Sequence, residues 1–109
     1  MTKITIQEYQ AFTPKTFLLP PEHALAYLFS GLAAEAGEVA GVYAKYVRGD
    51  FEGEVLVERA SKEMGDTLYF LFQLANQLGL KVEDILLENK NKLEDRLARN
   101  VLKGDGDNR

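Results

Sequence analysis

Apolar residues recur at intervals of three and four over most of this chain, and the pattern is interrupted at few places. Residues 4–12 read as a short amphipathic helix with Ile6 and Tyr9 as its apolar contacts, joined by Ile4 or Phe12. The segment TPKTFLLP, residues 13–20, reads as a loop. Pro21 suits the first turn of a second helix, where its missing N–H is harmless, and Glu22 suits the positive helix end. From there to about Tyr46, Leu25, Leu28, Phe29, Leu32, Ala36, Val39 and Tyr43 share one face. GDFEG, residues 49–53, reads as a turn. A third helix, from about residue 54 to 78, carries the stripe Val57, Ala60, Met64, Leu68, Leu71, Ala75 and Leu78, with Gly79 as its C-terminal cap. The last helix runs from about residue 82 to 100 with Ile85, Leu86, Leu93 and Leu97. The expectation is an all-α bundle of about four helices, one domain over residues 1–103, and a flexible polar tail at 104–109.

One stretch exceeds what a plain bundle needs. TLYFLFQLA, residues 67–75, is apolar nearly all the way round, so its helix should be buried on more than one side. Four helices in a small chain do not easily surround it. A homodimer or homotetramer that packs this helix against a partner chain solves the problem; a helix fully buried inside one subunit is the alternative.

Composition narrows the classes. The 109 residues suffice for one domain, and their 46% apolar content for a core. The net charge of −4, with no Lys/Arg block, argues against a nucleic-acid partner. There is no cysteine, so disulfide frameworks and thiolate metal sites are excluded. His23, the single histidine, cannot make a multi-histidine zinc site and is expected to face solvent. MTKITIQEYQ lacks the apolar core of a signal peptide, and no apolar run approaches a membrane span. A soluble, cytoplasmic protein is expected.

The chemistry lies in four carboxylates. Glu35 and Glu38 stand one turn apart on the second helix. Glu35 falls within the stripe Leu28, Leu32, Glu35, Val39, Val42, and should therefore face the core. Small residues around the pair (Gly31, Ala34, Gly37, Gly41) leave room for an ion and a ligand. Glu63 and Asp66 repeat the arrangement on the third helix. The first pair precedes the turn by 11–14 residues and the second follows it by 10–13, so the pairs come level when the hairpin closes. A single E-x-x-E on a helix usually faces water; two pairs at matched distances are harder to dismiss. Converging carboxylates repel and are costly to bury unpaired. Raised pKa values or bound cations relieve this. All-oxygen ligands suit Mg²⁺, with Mn²⁺ also acceptable, and such an ion polarises a phosphoryl group and lowers the pKa of a bound water.

The stretches GLAAEAGEVAGVYAKY, KEMGDTLYFLFQLANQLGL and ENKNKLEDRL, with the opening YQAFTPKT, resemble the MazG-like nucleoside triphosphate pyrophosphohydrolases. Their signature is E-x-x-E, a gap, then E-x-x-D; here 24 residues separate Glu38 from Glu63. The resemblance covers roughly residues 8–99 and implies an all-α fold assembling as dimers or dimers of dimers. It implies Mg²⁺-dependent cleavage of a nucleoside triphosphate between the α- and β-phosphates, giving monophosphate and pyrophosphate. Carried over, Glu35, Glu38, Glu63 and Asp66 would be metal ligands and catalytic carboxylates. Asn89, Lys92 and Arg96 match a phosphate-contacting set on the last helix, and Lys45 matches a basic residue after the first acidic motif. Many relatives carry Trp just after E-x-x-D; this chain has Tyr69 and Phe70 there and no Trp, so base stacking would fall to Tyr or Phe, and Tyr69 either stacks on the base or is simply core. Phe70 reads better as core or interface. Tyr9, Phe12 and Phe17 could line the base pocket or simply pack the short first helix. The rival expectations are an enzyme for another pyrophosphate substrate, a catalytically weak nucleotide-binding sensor, and a helical interaction module of the same fold.

Overall fold

The computed structural model describes residues 2–109, and every regular element among them is helical. Helix α1 spans Ile6–Phe12, α2 Ala24–Val47, α3 Gly53–Gln77 and α4 Val82–Ala98. Short 3-10 turns occupy Thr13–Thr16 and Pro21–His23. The all-α expectation holds, with four α-helices.

The sequence explains where each helix starts and stops. Helix α1 begins two residues later than the apolar pattern predicted, because Thr5 is its extended N-cap and Thr5 Oγ1 accepts the Glu8 N–H at 3.0 Å. Pro21 lies not in the first α-turn but in a 3-10 turn, closed by the His23 N–H donating to the Pro20 carbonyl at 3.1 Å. Gly79, at φ +71°, ends α3: its N–H donates to the Asn76 carbonyl and the Leu80 N–H to the Ala75 carbonyl, at 3.2 and 2.8 Å. Asn100, at φ +58°, repeats this at the end of α4, two residues after the last helical residue.

Helices α2 and α3 form a long hairpin, with α1 and the 13–16 turn against α3 and α4 packed on α1. The core has two centres. Leu28, Phe70 and Leu74 join α2 to α3, flanked by Phe17, Leu32 and Tyr69. Phe72, Ala75 and Val82 form the second, under Tyr9, whose ring meets Phe72 edge-on at 4.8 Å. The apolar stretch of α3 is thus buried on two sides within one chain, Phe70 and Leu74 toward α2, Phe72 and Ala75 toward α1 and α4.

The predicted stripes are only partly the core. On α2, Leu28 is fully buried, whereas Leu25, Phe29 and Tyr43 are exposed. On α3, Val57, Met64, Leu68 and Leu71 are exposed; on α4, Ile85, Leu86, Leu93 and Leu97 are. The radius of gyration is 17.1 Å, against about 13 Å for a compact chain of this length. Among the described residues no helix is long and apolar enough to cross a membrane.

Candidate functional site

Small side chains let α2 and α3 approach closely. A Cβ built on Gly31 would lie 2.1 Å from Phe70 Cε1, so this crossing requires glycine. One turn further along α2 is Glu35, and Glu63 and Asp66 face it from α3. The three residues offer carboxylate oxygens that all lie within 4.8 Å of one another. Glu35 and Glu63 are half-buried and Asp66 is exposed. Partial burial first, then the charges of Asp66, Glu63 and Glu38, hold the Glu35 carboxyl above the ordinary glutamate range.

The donor set fits a hard divalent cation. Glu35, Glu63 and Asp66 are the residues that would hold such an ion, which prefers carboxylate and water oxygens. Glu38 is exposed and stands outside that group of three, one turn along α2.

The carboxylates open on a cleft of about 420 Å³ lined by Thr16, Glu35, Asp66, Tyr69 and Phe70. Its far wall is held by a buried polar network that the apolar pattern did not reveal. Gln73, 1% exposed, donates from Nε2 to the Thr13 carbonyl at 2.6 Å and to the Tyr69 hydroxyl at 3.0 Å. The Tyr69 hydroxyl also meets Thr16 Oγ1 at 2.8 Å. Asn76 Nδ2 donates to Thr13 Oγ1 at 3.1 Å and to the Gln10 carbonyl at 3.2 Å. The segment YQAFTPKT is thereby stitched to α3, with the Tyr69 ring at the cleft. Tyr9 lies near enough that burial, Tyr69 and Asp66 together raise its pKa.

An aromatic surface adjoins the acids. Tyr69 meets Phe70 edge-on at 5.9 Å, Tyr27 lies over Phe70 at 5.6 Å, and Phe17 is 6.2 Å from Tyr27. Tyr27 and Gln73 are missed by sequence reasoning. The usable signal for Tyr27 is its spacing from Gly31 and Glu35, four and eight residues on, along one face of α2. Gln73 gave none: an amide inside an apolar run is not marked as a positioning group.

The structure leaves the remaining predicted residues elsewhere. Lys45 is exposed in the last turn of α2, where its charge, behind the Arg48 ion pair, helps to lower the pKa of Asp50. Asn89 borders a shallow apolar groove with Leu86, Leu93 and Leu97. Lys92 and Arg96 bind Asp107 of the C-terminal segment, at 2.9 and 3.3 Å. None of the three α4 residues lines the acidic cleft of its own chain. A separate apolar groove of about 820 Å³ lies between α2 and α3, lined by Val39, Val42, Tyr43, Val57, Ala60 and Met64 among others.

The Gene 37 protein of Mycobacterium phage L5 is 40% identical over 88 residues, covering 78% of this chain and 76% of the phage protein. The chain belongs to the family of that phage protein. No protein-family model matches the chain, and no solved structure matches it.

Proposed function

We propose that this protein is a Mg²⁺-dependent nucleoside triphosphate pyrophosphohydrolase of the MazG-like kind, releasing monophosphate and pyrophosphate. The observation that carries the reading is the convergence of Glu35, Glu63 and Asp66 from two consecutive helices, with donor oxygens within 4.8 Å. These three would hold the cation, with Glu38 available one turn away. A bound divalent cation would polarise the phosphoryl oxygens and favour the hydroxide form of the attacking water.

The protein's own groups supply the rest. One of the glutamates, or a metal-bound water beside it, would activate the nucleophile. Tyr69 and Tyr27 offer ring faces beside the carboxylates on which a base can stack. Asn89, Lys92 and Arg96 are assigned to the phosphates. They lie on α4, away from the cleft of their own chain, so the reading includes a homo-oligomer in which α4 of one copy serves the cleft of another. The exposed apolar faces support that assembly. The accessible surface is 8402 Å², about 2,300 Å² more than the roughly 6,100 Å² of a compact chain of this mass. A stable interface needs only about 800 Å² per partner.

The test is incubation of purified protein with Mg²⁺ and a panel of ribo- and deoxyribonucleoside triphosphates, followed by assay of monophosphate and pyrophosphate. Turnover that requires the metal and drops at least about a hundredfold in Asp66→Asn is expected, the scale of losing a metal-holding or general-base group. Full activity in Asp66→Asn overturns the assignment.

A further inference from the structure

Residues 101–109 do not trail from the bundle; they fold back along α4. Gly104 and Gly106 adopt φ of +144° and +86°, conformations that L side chains rarely take, and these turns reverse the chain. Arg109 closes the loop, donating from Nε, Nη1 and Nη2 to the carbonyls of Val101, Gly106 and Leu102 at 3.2, 2.6 and 2.9 Å. Arg99 in turn donates to the Arg109 carbonyl at 2.8 Å. The result is a strap that sets Asp107 on α4.

What Asp107 meets there is unlike the other ion pairs of the helix. Lys90 pairs with Glu94, and Arg99 with Asp95, each one turn away on exposed surface. Lys92 has Glu88 available at the same spacing, yet its Nζ donates to Asp107 Oδ1 at 2.9 Å. Arg96 is 6% exposed, and a guanidinium that deep requires acceptors. It finds them on the strap: the Asp107 carbonyl at 2.5 Å and Oδ1 at 3.3 Å. Asp107 itself remains exposed, so the anion on this cationic pair is open to exchange with solvent. Lys92 first, then Arg96, hold its carboxyl below the usual aspartate range, as expected where positive charge converges.

We propose that the strap self-blocks an anion site formed by Lys92 and Arg96, with the Asp107 carboxylate standing where the phosphate of a polyphosphate ligand binds. The inference rests on the assignment of those two residues to phosphate. A polyphosphate brings more charge and more acceptor oxygens than one carboxylate, and a planar guanidinium beside an ammonium suits it. Tethering gives Asp107 a high effective concentration, so only a multiply charged ligand displaces it. Occupancy of the site then releases residues 104–109, which makes the strap a threshold device for polyphosphate.

The probe is inorganic tripolyphosphate, titrated calorimetrically into the full chain without divalent cations, so that no turnover is read and a chain devoid of hydrolase activity still answers. Asp107→Ala is expected to bind about three- to tenfold more tightly than the parent, the range of losing one exposed competing ion pair. Asp107→Asn, which keeps an oxygen for Arg96, guards against a change in fold and should also tighten binding. Arg109→Ala, which opens the strap, should shift affinity the same way, and Lys92→Gln should weaken it. Affinity unchanged or reduced in both Asp107 variants, with binding still dependent on Lys92, overturns the strap as competitor. Binding that is absent throughout, or indifferent to Lys92→Gln, overturns the anion site itself.

Discussion

Glu35 shows how one carboxylate is set by its surroundings. It points from α2 toward two acids of α3, and burial and like charge both favour its protonated form. A carboxyl whose pKa rises on folding holds its proton more tightly in the folded chain. Its destabilising effect is therefore absent below the unfolded pKa, grows as pH rises toward the folded pKa, and is complete above it. In metal-free buffer at pH 7, Glu35→Gln should raise the melting temperature, and the gain should vanish at pH 3, below the ordinary carboxylate range of about 4. Mg²⁺ should stabilise the parent through binding to the folded state and stabilise Glu35→Gln much less. Equal melting curves for parent and variant across this pH range would remove the case for repulsion at Glu35. Gln73 plays the complementary part: its buried Nε2 donates to the Thr13 carbonyl and to the Tyr69 hydroxyl, and so holds that hydroxyl at the cleft wall.

The α2–α3 hairpin depends on one close approach. Gly31 lies against the Phe70 ring, which is itself enclosed by Leu28 and Leu74 and has little room to move. Gly31→Ala should cost about 1–3 kcal/mol as an overpacked contact, despite the better helix propensity of alanine. Thermal unfolding checks this, and Gly31→Ala combined with Phe70→Leu should recover part of the loss. An unaltered melting temperature in Gly31→Ala would overturn the close approach of Gly31 to Phe70. The same crossing sets the height of Glu35 against Glu63 and Asp66, so the variant should also weaken divalent-cation binding. The short N-terminal elements act as a brace: the amides of Gln10, Gln73 and Asn76 tie α1 and the 13–16 turn to α3.

At the level of the molecule, the single chain leaves too much apolar surface uncovered. Val57, Met64 and Leu68 line one side of α3, and Leu86, Leu93 and Leu97 one side of α4. A second copy covering these faces would bring the chain back to ordinary surface proportions. If the proposed oligomer forms through these faces, Met64→Glu with Leu68→Glu should leave a monomer in size-exclusion chromatography with light scattering, while helicity by circular dichroism persists, because neither residue belongs to the Leu28–Phe70–Leu74 core. A parent chain that is monomeric at tens of micromolar would overturn the proposed oligomer.

The amino-acid sequence by itself determined the helices, because a period of 3.6 and the caps at Thr5, Gly79 and Asn100 are local properties of the chain. It also placed Glu35, Glu63 and Asp66 at matched distances from one turn, and the hairpin brings those three together. Only the tertiary structure decided which apolar stripe became core. A helix's apolar residues do not say whether they will meet their own chain, and Leu28 does so while Leu25 and Phe29 do not. The Gln73 network and the aromatic wall at Tyr27 likewise join residues far apart in sequence, which no spacing rule couples. The strap belongs to the same class: GDGDNR reads as a polar tail, and its Asp107 gains a partner only because two glycine turns return it to a buried arginine on α4.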